Sequence, residues 1–284
     1  MYRVGTVPIR VFELACLVII AATLIAVSRR TPWRELLRDY ACLAVAGWVG
    51  EVSSIAFYRY YGYSADWDAL LVGVPILVPM IWPLVILSAR DVASGLFPRA
   101  EGVSRAAIVG AIVVFDASLV EVVAARAGLW WWAEEGHLGV PLLGMLGWGY
   151  FAFGADLVLS RAKGAQRAAV IVAAPLIAHA LIVASWWALF QWTLRHDLGV
   201  LSLVGLGVLS AGIVALVAQA RARGDGIPLE VAGPRVFAAT LFFALLLSVA
   251  PGDVSLWLHV GCVAVPYVLA TRWRLEPARL PARA

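Results

Sequence analysis

The chain has 284 residues, 63% of them hydrophobic and 14% charged, with a net charge of +4 at pH 7. Its mean hydropathy of +0.89 leaves far too few polar side chains to cover a water-facing surface, which excludes a soluble globular domain. The basic residues fall in short stretches between apolar runs, which argues membrane topology and not nucleic-acid binding.

A membrane-crossing helix needs about 20 mostly apolar residues. Nine segments qualify by composition, at roughly 8–28, 37–58, 69–88, 106–125, 138–160, 168–191, 198–219, 235–250 and 254–271. The first is too long for a signal peptide and lacks a small-residue cleavage site, so it is expected to be retained. The last two are short and divided only by the turn signal Pro251-Gly252-Asp253. The expected fold is therefore all-α, a polytopic transmembrane helical bundle of about eight or nine spans. It is expected to form a single transmembrane domain over residues 1–284, with its core at 37–160 and a disordered tail at 273–284. Cys16, Cys42 and Cys262 all lie in apolar runs and have neither disulfide nor zinc spacing.

Loop charge sets the orientation. Arg29, Arg30, Arg34 and Arg38 follow the first segment, and Arg90, Arg99 and Arg105 follow the third. Arg161, Lys163 and Arg167 follow the fifth, Arg221, Arg223 and Arg235 the seventh, and Arg272, Arg274, Arg279 and Arg283 close the chain. The alternate loops hold only Arg59, Arg126 and Arg195. This alternation predicts a multi-pass protein of a bacterial-type cell (inner) membrane, with its N-terminus outside and its C-terminus cytoplasmic.

One pattern occurs twice. Glu51 stands in an apolar run and is followed by Tyr61-Gly62-Tyr63, Gly73-Val74-Pro75 and Trp82. Glu121 stands in another, followed by Gly128-Leu129-Trp130-Trp131-Trp132, Gly139-Val140-Pro141 and Trp148. In both copies the tryptophan lies nine residues after the glycine of Gly-Val-Pro. Both glutamates fall on outward-running spans, so the repeat is expected to be parallel, a duplicated pair of helical hairpins.

Ionisable groups within spans are costly and usually face a bundle interior. The candidates are Glu13, Glu51, Asp116, Glu121, Asp156 and His179. Bland roles suffice for three of them. Glu13 has Arg10 nearby at helical spacing, Asp156 has Arg161, and His179 stands alone on an alanine-rich run, as a packing hydrogen bonder does. Glu51 and Asp116 have no basic residue within two helical turns, and together with Glu121 they are the expected catalytic residues. Asp116 and Glu121 are five apart and point about 140° from one another on one helix, so either meets Glu51 only from a neighbouring span. The expected acid and partner are Glu51 and Asp116, with Glu121 as base or water holder.

The aromatic residues around them have two readings. One is an interfacial belt. The other is a pocket wall, in which Tyr61, Tyr63, Trp82, Trp130, Trp131, Trp132 and Trp148 bind substrate and their ring faces stabilise a cation. The four histidines form no clustered ligand box, there is no Gly-x-Gly-x-x-Gly nucleotide motif, and no Asp-rich motif for a metal diphosphate is present. No metal and no cofactor are expected. The chemistry these residues suit is acid–base work, a buried acid protonating an alkene beside aromatic walls.

The two strings, Gly50-Glu51 to Trp82 and Asp116 to Trp148, resemble the carotenoid biosynthesis integral membrane proteins that include carotenoid 1,2-hydratases of the bisanhydrobacterioruberin type. The resemblance covers about residues 45–150. The family usually has Asp-Pro where this chain has Glu121-Val122, Asn at the position of Gly144, and Phe-Gly at Tyr61-Gly62. The resemblance implies hydration of a terminal C=C of an acyclic carotenoid, a lipophilic polyene drawn from the bilayer. The alternatives are a carotenoid or terpene cyclase running on the same protonation, a proton-coupled solute transporter, and a non-catalytic lipid-binding factor. Membrane lipid is the expected surrounding partner, and the residues set no oligomeric state.

Overall fold

In a computed structural model, residues 9–134, 136–191, 205–207, 209–214, 227 and 229–270 are described. The chain runs through α1 (Ile9–Ser28), α2 (Trp33–Tyr58), β1 (Tyr61–Tyr63), β2 (Leu70–Leu71), β3 (Val74–Pro75), α3 (Leu77–Leu96) and α4 (Gly102–Arg126). It continues with β4 (Trp130–Trp132), α5 (Leu142–Leu159), a 3-10 turn (Gly164–Ala169) and α6 (Val170–Ser185), which widens into a π turn (Trp186–Phe190). Two further helices, α7 (Leu229–Val249) and α8 (Val254–Ala270), follow. Among the described residues, seven helices are long and apolar enough to cross a membrane. In lipid every backbone group must find its partner within the chain, and helices do this alone. The chain is thus all-α and polytopic, as its apolar segments predict. Most of the expected seventh segment, together with Trp192, Arg195, His196, Arg221, Arg223 and the tail, lies outside the described residues.

Packing runs α3–α2–α6–α5–α4, with α8 against α4 and α7 against α1. The α4–α5 seam closes on two glycines. A Cβ on Gly110 would stand 2.8 Å from the Gly149 carbonyl oxygen, and one on Gly149 would stand 2.3 Å from Val114. Small residues that let backbones touch are the usual means of joining helices where lipid competes for every apolar contact.

The third segment is corrected by eight residues at each end. It was expected at 69–88, but α3 occupies Leu77–Leu96. Residues 70–75 instead form a two-residue hairpin whose central residues, Val72 and Gly73, have φ of 54° and 77°. This is the type I′ geometry that hairpin twist favours. At its other end α3 carries Arg90 and Asp91 inside the helix, both buried, where a loop was expected. Their partners explain it. Arg90 Nε lies 2.6 Å from Asp156 on α5, Arg105 Nη2 3.3 Å from the same oxygen, and Arg30 3.5 Å from Asp91. Asp156 is therefore tied to Arg90 and Arg105 rather than to Arg161, which lies in the turn after α5 and donates back to Leu157 O. Asp39, bonded by Arg167 and Arg38, completes a charged layer at this end of the bundle.

The opposite end carries the loops 59–76, 127–141 and 250–253. Here β1 pairs with β4 antiparallel, in the register Tyr61↔Trp132, Gly62↔Trp131, Tyr63↔Trp130. The ladder extends symmetrically, from Ser64 N–H to Leu129 O (3.1 Å) and from Ala133 N–H to Tyr60 O (2.7 Å). Each bond is the other's counterpart under the sequence repeat, so a pseudo-two-fold axis passes between Gly62 and Trp131. The repeat is reproduced in detail. Both strands are entered through a left-handed residue two positions earlier, Arg59 (φ 56°) and Gly128 (φ 73°). Both Gly-Val-Pro motifs close a two-residue turn, the second with Leu138 and Gly139 at φ 55° and 85° under a His137–Val140 bridge.

Val72 is a β-branched residue in the left-handed region and is largely exposed. Left-handed φ costs such a residue about 1–2 kcal/mol, and Asn-Gly is the preferred type I′ pair. Val72→Asn is expected to raise stability by about 1 kcal/mol, read as a higher thermal midpoint in detergent. An unchanged or lower midpoint would contradict the strained turn.

Candidate functional site

The doubled ends of α2 and α4 each aim a carboxylate under the β1–β4 ribbon. Glu51 is buried. Its Oε2 accepts from the Tyr61 hydroxyl (2.5 Å) and the Tyr63 hydroxyl (2.9 Å), and its Oε1 accepts from Trp82 Nε1–H (3.0 Å). Glu121 is buried as well. Its Oε2 accepts from Trp130 Nε1–H (2.7 Å) and Trp132 Nε1–H (3.2 Å), and its Oε1 accepts from Trp148 Nε1–H (2.6 Å). In each half, two donors come from the strand that follows the carboxylate. The third comes from the tryptophan nine residues past the hairpin glycine. The spacing shared by the two copies is thus the spacing of two carboxylate cages.

The cages interlock. Trp82 and Trp148 meet at 4.7 Å between ring centroids, Tyr61 and Trp132 at 5.0 Å, and Tyr63 and Trp130 at 6.0 Å. Six rings and two carboxylates therefore form a box about the pseudo-two-fold axis. All eight line one cavity of about 440 Å³, a volume within the range of a small-molecule site. The Tyr61 and Tyr63 phenols are held well above the ordinary tyrosine value, first by burial and then by the Glu51 carboxylate beside them. They stay hydroxyls, able to donate, throughout the physiological range.

The sequence named every residue of this box. Trp131, grouped with them, is placed elsewhere. It lies on the outward side of β4, 53% exposed, with its indole over Gly62 and outside the cavity wall. Alternation along a strand turns the middle of three residues away from its neighbours. A helical reading of the run offers no such distinction.

Asp116 also lines the cavity, but it does not meet Glu51 as expected. Arg235 holds it through both oxygens at 2.6 Å and reaches Ser88 Oγ at 2.6 Å. Arg235 counts among the loop charges and is also the first residue of the expected segment 235–250. It lies inside α7, which begins at Leu229, six residues before the expected segment. An arginine at the edge of an apolar run reads equally well either way, which is why the pair was not legible. Glu13 likewise does not pair with Arg10. It accepts from Asp68 N–H (3.0 Å), while Arg10 bonds the Asp68 carboxylate (3.2 Å). His179, expected as a packing hydrogen bonder, lies between Ser53 Oγ (2.8 Å) and Tyr58 Oη (2.9 Å), joining α6 to α2 at the cavity wall.

Gly144 has a role that its sequence alone does not declare. A Cβ there would stand 2.4 Å from the far edge of the Trp132 ring. Trp132 is fixed by its bond to Glu121 and by stacking on Tyr60 (5.4 Å, 18°), so it cannot yield without giving up the longest bond of the cage. Gly144→Ala is expected to lower turnover about tenfold by tilting Trp132, as a misplaced positioning group does. Gly261→Ala, whose Cβ would meet nothing within 4 Å and which lies outside the cavity wall, should leave turnover unchanged. Equal rates for both variants would refute this.

The model of a protein family described as carotenoid biosynthesis protein matches residues 11–222. The chain belongs to this family. The match extends well beyond the stretch 45–150 on which the resemblance was recognised, and it contains all eight box residues. It stops before α7, so the Asp116 partner Arg235 comes from outside it. No match is found among curated proteins or among solved structures. Membership in the carotenoid biosynthesis family, with seven apolar helices of spanning length, makes the chain a multi-pass membrane protein.

Proposed function

We propose that this chain is a carotenoid hydratase that adds water across a terminal C=C of an acyclic carotenoid, with the aromatic box as its active site. One observation carries the reading. The two cages are alike in position and unlike in chemistry. Glu51 is bonded by two hydroxyls, which both donate and accept, whereas Glu121 is bonded by three indole N–H groups, which only donate. A proton can pass between Glu51 and Tyr61 or Tyr63. None can pass between Glu121 and its tryptophans. Glu51 in its acid form therefore supplies the proton, directly or through Tyr61, and Glu121 is the fixed anion.

The steps balance. The proton from Glu51 bonds to the less substituted alkene carbon, using the π electrons and leaving a tertiary cation. The ring faces of the box and the Glu121 carboxylate stabilise that charge. A water molecule adds to the cation and gives its surplus proton to Glu121. Returning that proton to Glu51 completes the cycle, with one water added to the substrate. Asp116, neutralised by Arg235, takes no part in the transfer and braces the cavity wall. The chemistry calls for no cofactor. The orientation that fits the arginine-rich end is a bacterial-type inner membrane with the box toward the outer face and the C-terminus cytoplasmic.

Expression in lycopene-producing cells, followed by chromatography and mass analysis of pigments, tests this. A more polar product heavier by one water is expected, with its oxygen taken from labelled water. A new pigment of unchanged mass would support the cyclase reading, since a box of six rings can also exclude water from the cation. No new pigment from any acyclic polyisoprenoid would overturn both.

A further inference from the structure

The cavity meets its two outer helices differently. On α1 it touches Phe12, Cys16, Ile19 and Thr23, spaced four, three and four residues apart, which is a single stripe. On α7 it touches every one of residues 238–243. Consecutive residues turn about 100° each, so six in a row cover the whole circumference of a helix. The void therefore passes along both flanks of α7 and does not stop at its inner face. The helix is held before this stretch by the Arg235–Asp116 pair, within it by Phe242 against Phe12 (6.1 Å, edge to face), and after it by Leu245 and Leu246 in the core. Between Arg235 and Phe242 stand Ala238 and Ala239, small side chains that both line the cavity, Ala239 also bordering the core.

We propose that the flanks of α7 at Ala238 and Ala239 are the binding groove for the remainder of the substrate chain, and that this groove selects long polyisoprenoids over short ones. The proposal rests on the assignment of the reacting end to the aromatic box. A cavity of about 440 Å³ accommodates one drug-sized group. A long conjugated chain with its end in the box cannot be held by the box alone and must run on through the same cavity past α7. The space around α7 is continuous with the box, mostly apolar, with Thr23, Ser88, Thr240 and the Arg235–Asp116 pair as its polar groups, and on the bundle's periphery. It takes a chain that extends into the bilayer, and α7 acts as a strut around which the chain passes.

The test compares the parent with Ala239→Trp, Ala238→Trp and Leu247→Trp, each reconstituted in lipid nanodiscs. Leu247 is exposed on the same helix and lies outside the cavity wall. The discs are incubated with lycopene or with farnesene, re-isolated, and assayed for retained ligand without any need for turnover. The parent and Leu247→Trp are expected to retain lycopene. Both alanine variants should retain about tenfold less of it, since an indole there must be displaced, and as much farnesene as the parent. Undiminished lycopene retention in the alanine variants overturns the proposal. So does an equal loss of farnesene, which would place the damage in the box. A parent that retains lycopene selectively but converts no polyisoprenoid overturns the hydration reading and leaves the groove standing. A parent that retains neither ligand overturns both.

Discussion

Glu51→Gln is expected to abolish detectable product while leaving the protein as stable as the parent. The substitution removes the only proton that Glu51 can deliver, and positioned general acids contribute about 10²- to 10⁴-fold. The cage accepts the amide without strain. The glutamine oxygen can take the place of Oε1, where Trp82 Nε1–H donates. Its NH₂ then takes the place of Oε2 and donates to the Tyr61 and Tyr63 hydroxyls, which turn to accept. Pigment analysis and a thermal melt on the same preparation check both halves. Activity near the parent's would remove Glu51 from the mechanism. A large drop in the midpoint would show that the hydroxyls had not adapted.

Glu121→Gln is expected to fail in both respects. Whichever way the amide turns, its NH₂ faces at least one of Trp130, Trp132 and Trp148. An indole N–H cannot accept, so two donors are left opposed in a buried site. An unsatisfied buried donor costs about 1–3 kcal/mol. The loss of the anion beside the developing cation should lower turnover a further 10²- to 10³-fold, about what one preorganised electrostatic contact contributes. The contrast is the informative quantity, because isosteric changes at two matched positions should differ in stability and agree in lost activity. Equal midpoints for the two variants would refute the donor-only cage around Glu121.

The box was legible because its parts recur. A glutamate, a strand of aromatics, a Gly-Val-Pro turn and a tryptophan at fixed distance, found twice, named Glu51, Tyr61, Tyr63, Trp82, Glu121, Trp130, Trp132 and Trp148 before any contact was known. Hydropathy likewise marked the helices, since spanning length is set by the bilayer and not by neighbours. What could not be read depended on partners distant in sequence. Arg90 and Asp91 looked like loop charges because Asp156 and Arg30, which admit them to a helix, lie elsewhere in the chain. Asp116 looked solitary because Arg235 is 119 residues away. Hydropathy also extended the third segment back through residues 69–76. Leu70, Leu71, Val74 and Pro75 are as apolar as a helix needs, and only the left-handed turn at Val72-Gly73 excludes them from α3.

The axis between Gly62 and Trp131 has a consequence for how such a site can arise. Two identical subunits meeting on a two-fold axis must present the same residue twice at its centre. Here a Cβ on Gly62 would stand 2.8 Å from the Trp131 indole, so a tryptophan on both sides of the axis would not fit. A pair of equal subunits would also surround both carboxylates with the same donors, and neither would differ from the other as an acid. Joining the halves in one polypeptide lifts that constraint. Each glutamate is then free to acquire its own neighbours, hydroxyls for one and indoles for the other, and the direction of proton flow is written into the covalent order of the chain.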